Sequence, residues 1–369
     1  MRAVEPFCGI GGASLGMERA GFQVTGFEFD AKAAELHRHV CEGSVGEYDI
    51  ATLDPSRMEV PDLLWMSPPC QPFSQAGLRR GMDDPRAHLI FEVPRWVKAM
   101  RPRMVICEQV KQALHWWEAF AEEFQALGYH TWVGVVNSEQ FGVPQTRQRA
   151  ILLASLDGPV GAPQPTHRKY HTRAPHTRPG DEHLLPYVTM ADVIDVDAED
   201  RIGFGRKDDK GGDGLRERDF RPGDEPAFTM TSKGRSWSVN TGRDWKPGGD
   251  RSTAQTRDMD LPAPALTSNS SKGWQLTGRQ SNATTRDHDQ PAPTITAGHD
   301  VTQWSVKQRL ITVADGLALQ GFPPDCLDGA TVTKTAAFKA IGNAVPVQLA
   351  EALARHLSNN VTPVTEWNE

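Results

Sequence analysis

"RAVEPFCGIGGASLGMERAG" runs from Arg2 to Gly21 and joins a short apolar stretch to a glycine-rich turn and then to residues with helical spacing. Gly9, Gly11 and Gly12 let the backbone turn tightly into a helix N-terminus, where unpaired N–H groups are presented to a ligand. The next apolar stretch, "FQVTGFEF" from Phe22, carries Glu28 near its end. In doubly wound α/β folds a carboxylate at that place accepts ribose hydroxyls. The glycines do not follow GxGxxG, which argues against a dinucleotide and an oxidoreductase. FxGxGG with a ribose-binding acid favours S-adenosyl-L-methionine.

The alternation continues outward from this unit. "AKAAELHRHV" has helical spacing, and "DLLWM", "RMVICE", "HTWVGVV" and "RAILLAS" are apolar runs of strand length. Helices are expected over "RAHLIFEVPRWVKAM" and "ALHWWEAFAEEFQALG" between them. This pattern predicts an α/β fold, a doubly wound, Rossmann-like parallel sheet. After Ser155 the composition shifts to Pro, Gly, Ser, Thr, Asp and Arg until about Ser305. Helical patterning then returns in "KQRLITVADGLALQGFP", ending at Gly321 and Pro323, and in the amphipathic "VPVQLAEALARHL". Residues 1–155 plus 306–369 are therefore expected to form one catalytic, cofactor-binding domain, with 156–305 inserted into it.

The inserted region carries an internal repeat. "PAFTMTSKGRSWSVNTGR" from Pro226, "PAPALTSNSSKGWQLTGR" from Pro262 and "PAPTITAGHDVTQWSV" from Pro291 share a Pro-Ala start, a Thr-rich run, a polar tip and a Trp-centred run. Each predicts a β-hairpin, with Trp237, Trp274 and Trp304 forming a small shared core. Lys233, Arg235 and Lys272 fall at the tips, where long cationic side chains either reach a DNA groove or remain solvated.

The chain has 369 residues and a formal net charge of −7, so a polyanionic partner would have to meet local clusters of Lys and Arg. The five cysteines (Cys8, Cys41, Cys70, Cys107, Cys326) are scattered without a CxxC pair, which argues against a disulfide framework or a metal site. No stretch has a signal-peptide pattern or membrane-spanning length. A soluble, cytoplasmic protein in a reducing compartment is expected.

Cys70 lies in "SPPCQPFS" (Ser67 to Ser74), just after the apolar run that ends at Met66. Pro68, Pro69 and Pro72 exclude a helix interior or central strand and predict a stiff loop at a strand's C-terminal end. A lone thiol there is either a structural cysteine or a nucleophile held on a rigid platform.

"FCGIGG", "SPPCQPFS", "CEQV" (Cys107 to Val110), "PQTRQR" (Pro144 to Arg149), "RLITVADGLALQGFP" and "IGNAVP" (Ile341 to Pro346) together resemble, in order and spacing, the cytosine-C5 DNA methyltransferases of prokaryotic or phage type. The resemblance implies methyl transfer from S-adenosyl-L-methionine to C5 of a cytosine flipped out of double-stranded DNA, with the repeat region in the target-recognition slot. It further implies that Phe7 stacks on the adenine side of the cofactor, Glu28 holds the ribose, and Asp49 with Ile50 contacts the adenine. Pro69 joins the cofactor and base pocket, and Asn343 closes it from the C-terminal side. A cognate restriction endonuclease would be a separate chain, and a monomer is expected.

The chemistry accounts for the remaining residues. Cytosine C5 becomes nucleophilic only after a nucleophile adds at C6, a task for the Cys70 thiolate. Protonation at N3 assists that addition, and Glu108, at the end of "RMVICE", is the acid in reach of it. A strand-end salt bridge is the plainer reading of Glu108. Arg147 and Arg149 alternate out of "QTRQR" and at period two point the same way, suiting the cytosine O2 and a phosphate. The family usually has Glu-Asn-Val where this chain has Glu108-Gln109-Val110. The alternatives are methylation of an RNA cytosine and an inactive relative that only recognises DNA. Intact Cys70, Glu108, Arg147 and Arg149 argue against the second.

Overall fold

The computed structural model describes residues 1–69, 87–170, 179–195, 201–204, 220–222, 224–230, 237–240, 309–310 and 312–359. Cys70, Lys233, Arg235 and Lys272 lie outside the described residues, as do the second and third repeat copies.

The opening stretch folds as its pattern requires, with β1 (Arg2–Glu5) followed by the glycine turn and α1 (Gly12–Arg19). Next come β2 (Gln23–Glu28), α2 (Ala31–Val40), β3 (Ser44–Glu47) and β4 (Leu63–Met66). After them come α3 (Glu92–Met100), β5 (Met104–Val110), α4 (Leu114–Ala126), β6 (His130–Asn137), β7 (Gln145–Thr146) and β8 (Gln148–Ser155). Seven of these strands form one sheet in the order β3-β2-β1-β4-β5-β8-β6. The strand β3, "SVGE", lacks an apolar run because it is a half-exposed edge strand.

The sheet is mixed rather than wholly parallel, since β8 runs antiparallel to both β5 and β6. The physical reason is the link from β6 to β8, which holds only a 3₁₀ turn (Ser138–Phe141) and the short β7. A parallel neighbour needs a crossover helix, and none is present there.

Side chains of the central strands alternate between two cores. Leu63, Trp65, Met104, Ile106, Ile151 and Leu153 pack on one face. Leu64, Met66, Val105, Cys107, Leu152 and Ala154 pack on the other. The first face is covered by Met17 of α1 and by Leu349, Leu353 and Leu357 of the C-terminal helix, and the second by α3 and α4 through Trp96, Trp117 and Phe124. Burial on both sides explains why these strands are continuous apolar runs.

The C-terminal segment contributes three helices, numbered onward as α5 (Val313–Gln320), α6 (Lys334–Asn343) and α7 (Val347–Asn359). A Cβ on Gly16 would come within 2.6 Å of the Ala350 Cβ, so α1 and α7 approach closely because position 16 has no side chain. α5 starts later than its apolar pattern suggests because Thr312 and Asp315 form a capping box. Thr312 Oγ1 accepts from the Asp315 N–H at 3.1 Å, and Asp315 Oδ2 accepts from the Thr312 N–H at 2.7 Å.

The chain divides into two compact units. The first comprises residues 1–198, 223–235 and 312–369, and the second residues 199–222 and 236–311. Among the described residues, 156–170, 179–195 and 224–230 fall in the first unit. The second unit holds an antiparallel sheet of β9 (Arg201–Phe204), β10 (Phe220–Pro222), β12 (Trp237–Asn240) and β13 (Arg309–Leu310), in the order β10-β9-β12-β13.

The first repeat copy is not a self-contained hairpin. Its first arm, β11 (Ala227–Phe228), pairs parallel with β7 in the first unit, while its second arm, β12, pairs with β9 and β13. The first arm is held by local hydrogen bonds. Ala227 N–H donates to Pro144 O at 2.8 Å and Thr229 Oγ1 to Thr146 O at 2.9 Å. Among the described residues, no helix is long and apolar enough to cross a membrane.

Candidate active site

Strand β1 lies between β2 and β4, so the chain winds in opposite directions from it, and in open α/β sheets ligands bind beyond the C-terminal ends of the strands at such a point. Phe7 and the glycine turn follow β1, and Pro68 and Pro69 follow β4. Glu28 ends β2, Asp49 and Ile50 follow β3, and Glu108 is near the end of β5. Because β8 is antiparallel, its beginning, with Arg149, lies at this same edge.

The glycine turn is shaped by two close approaches. Gly11 has φ +95°, and a Cβ there would come within 2.4 Å of Cys41 Sγ. A Cβ on Gly12 would come within 2.1 Å of the Val345 carbonyl oxygen, so this turn rests directly on the chain just after Asn343. Glu28 is oriented by two backbone donors, Gly9 N–H and Asp30 N–H, each at 2.9 Å. Asp49 Oδ1 accepts from Ala51 N–H at 3.0 Å, and Arg95 fixes the loop by donating to Ile50 O at 2.8 Å and Leu53 O at 2.9 Å. Ile50 is buried, Phe7 is half-buried against the α3 and α4 core, and Asn343 is exposed at the end of α6.

Two aromatic residues at this edge were not singled out by sequence. Phe29 is 77 % exposed beside Glu28, and Tyr48 is 52 % exposed beside Asp49. Large apolar side chains so exposed next to a carboxylate suit a ligand with a flat apolar face and a diol. This donor set fits an adenosine. The signal was available in "EFD" and "EYD", where an aromatic adjoins each acid.

Behind the turn lies a buried polar cluster that sequence also missed. Ser14 Oγ donates to Glu5 at 2.5 Å and lies 3.0 Å from His37 Nε2. Burial pushes the Glu5 carboxyl up to about 8, and burial pulls His37 down to about 4.

On the other side of the crevice, Arg149 Nε lies 2.5 Å from Glu108 Oε1, with both side chains nearly buried. Gln109 is buried beside them. Its amide donates to Pro68 O at 2.8 Å and accepts from Val110 N–H at 2.7 Å, so it ties the strand carrying Glu108 to the loop that leads into Cys70. The residue that departs from the family pattern thus keeps both of its hydrogen-bonding functions in use. Arg147 and Arg149, expected to point together, meet different partners among the described residues. Arg147 donates to Met230 O at 2.6 Å, Ala344 O at 3.1 Å and Gly342 O at 3.2 Å.

The sheet order defines a Rossmann-like α/β fold, and comparison with known proteins narrows it. The profile of the C-5 cytosine-specific DNA methylase family matches residues 1–359. The chain belongs to that family. Type II methyltransferase M1.HphI of Haemophilus parahaemolyticus is 34% identical over 185 residues, covering 46% of this chain and 50% of that protein. Type II methyltransferase M.AquIA of a Picosynechococcus strain is 31% identical over 222 residues, covering 52% of this chain and 87% of that protein. The matched stretch spans about half the length of the Haemophilus relative. Among solved structures, the Entamoeba histolytica methyltransferase EhMeth superposes with a TM-score of 0.61 at 14% identity, covering 98% of each chain. A putative DNA modification methyltransferase from an E. coli prophage gives a TM-score of 0.52 at 21% identity, covering 97% of this chain and 99% of that one.

Proposed function

We propose that this protein transfers a methyl group from S-adenosyl-L-methionine to C5 of a cytosine flipped out of double-stranded DNA. The observation that carries the reading is the convergence at one sheet edge of the Glu28-braced glycine turn, the Pro68-Pro69 loop leading into Cys70, and the Glu108–Arg149 pair. Family membership supports the same reaction.

S-adenosyl-L-methionine, when bound, supplies an electrophilic sulfonium methyl. Phe7, Glu28, Asp49, Ile50 and Pro69 would hold it, with Asn343 closing the pocket and the backbone of Gly9, Gly11 and Gly12 shaping it. Cys70 adds as thiolate to C6 of the cytosine, forming a C–S bond while the ring electrons move toward C5. Glu108, once protonated, gives that proton to N3 and so accommodates the shift. Arg149, already against the Glu108 carboxylate, is placed to donate to O2. After methyl transfer a base removes the C5 proton, Cys70 leaves as thiolate and N3 returns its proton to Glu108, which restores the neutral aromatic ring. The cytosine must leave the helix stack for these groups to reach it.

The second unit and the repeat region would provide target recognition, with Lys233, Arg235 and Lys272 contacting DNA. A cognate endonuclease acting as a separate chain and a cytoplasmic setting accord with the relatives being type II methyltransferases. The test is to incubate the protein with S-adenosyl-L-methionine and random-sequence duplex DNA and to sequence after bisulfite treatment. Protected cytosines in one recurring sequence are expected. Uniform conversion, with methyl transfer to RNA instead, would overturn the choice of substrate.

A further inference from the structure

We propose that Arg147 and Gln320 are positioning residues for the cofactor, a clamp that sets the place of Asn343. This rests on the reading of the crevice as a cofactor site. α6 ends at Asn343, and a helix end leaves carbonyls without intrahelical partners. Arg147 donates through one guanidinium nitrogen to both Gly342 O and Ala344 O, the carbonyls on either side of Asn343. Gln320 Nε2 donates to Ala344 O as well, at 2.6 Å. A cation at a helix C-terminus is also favoured by the helix dipole.

The clamp is anchored on the sheet side. Arg147 sits between β7 and β8, and its own carbonyl accepts from Ser138 N–H at 2.8 Å. Gln145, two residues earlier, donates to Gln320 Oε1 at 2.6 Å and to Leu319 O at 2.9 Å. All three side chains are buried, Arg147 at 2% exposure and both glutamines at 0%. Burying a guanidinium is costly unless carbonyls receive it, so the carbonyls flanking Asn343 and the cation hold one another in place. The contact of Gly12 with Val345 O carries the same position to the glycine turn. Arg147 therefore acts on the cofactor side of the crevice, through Asn343.

The test measures the affinity for S-adenosylhomocysteine without DNA, by calorimetry. Wild type is compared with Arg147→Lys, Gln320→Met, Asn343→Ala and the combinations with Asn343→Ala. Arg147→Lys keeps the charge but cannot span two carbonyls, and it should weaken binding by about tenfold, as expected for losing a hydrogen bond from a charged donor. Gln320→Met should weaken it in the same direction. Neither change should weaken binding further once Asn343 is alanine. The proposal is overturned if folded Arg147→Lys binds within twofold of wild type, if its effect adds fully to that of Asn343→Ala, or if Asn343→Ala itself binds normally. If Arg147→Lys does not fold, Gln320→Met decides by the same criteria. Glu28→Ala separates the two levels: loss of binding there with none in the clamp variants overturns the clamp alone, whereas normal binding there overturns the cofactor site itself.

Discussion

Arg149 and Glu108 form a buried ion pair, Nε to Oε1 at 2.5 Å, with each side chain 9% exposed. In the ladder Glu108 faces Ile151 and Val110 faces Arg149, so the pair is a diagonal contact on one face of the sheet. It gives Glu108 a structural partner and a catalytic position together. Glu108→Gln removes the proton donor, and turnover should fall by roughly 10²- to 10⁴-fold. It also leaves Arg149 buried without its counter-charge, which costs about 3–5 kcal/mol. Adding Arg149→Met should restore the melting temperature but not turnover. Near-normal turnover in Glu108→Gln would reduce the pair to a structural role.

Gln109 links the strand of Glu108 to Pro68. Asparagine is one methylene shorter and does not span that distance from the same backbone. Gln109→Asn should therefore lower kcat by about tenfold, the scale of one lost buried hydrogen bond, while cofactor affinity stays unchanged. Gln109→Glu keeps the length but loses the donor, and should do the same. Stopped-flow methyl transfer with saturating DNA separates kcat from binding. An unchanged kcat in both variants would mean that the Pro68 contact does not position the loop.

Glu5 and His37 make opposite contributions to stability. Glu5 is raised from 4.5 to about 8, so across that window the folded protein keeps a proton that the unfolded chain has lost. Its contribution is full at low pH and is lost as pH rises toward 8. His37 is lowered from 6.5 to about 4, so its contribution is present above 6.5 and lost as pH falls toward 4. The two oppose one another between about 4.5 and 6.5, and Glu5 acts alone from about 6.5 to 8. Thermal melts should show wild-type stability declining from pH 6.5 to 8 and Glu5→Gln flat over the same interval. A parallel decline in the variant would assign the effect to another group.

Much of the fold was legible because two-sided burial writes strands such as "LLWM" and "MVICE" as apolar runs, and because Gly11 and Gly12 mark close approaches. The direction of β8 was not legible. An apolar run carries no sign of orientation, and only the helix-free link after β6 decides it. The repeat misled for the first copy, since a Thr-rich alternating run matches β11 pairing with β7 as well as it matches a hairpin arm. At the site, acids and glycines stood out by type and spacing. The carbonyl contacts of Arg147 and the neutral network of Gln145 and Gln320 did not, because amide side chains joining distant segments leave no periodic trace.

The central claim is that Cys70 attacks the cytosine ring. It is tested most directly by incubating the protein with S-adenosyl-L-methionine and duplex DNA containing 5-fluorocytosine, followed by denaturing electrophoresis. The fluorine cannot leave as the C5 proton does, so the Cys70 adduct should persist. Wild type should give a protein–DNA band that survives denaturation, and Cys70→Ser should give none while binding S-adenosylhomocysteine normally. A persistent adduct with Cys70→Ser, or wild-type C5 methylation of cytosine without any trapped adduct, would contradict the account.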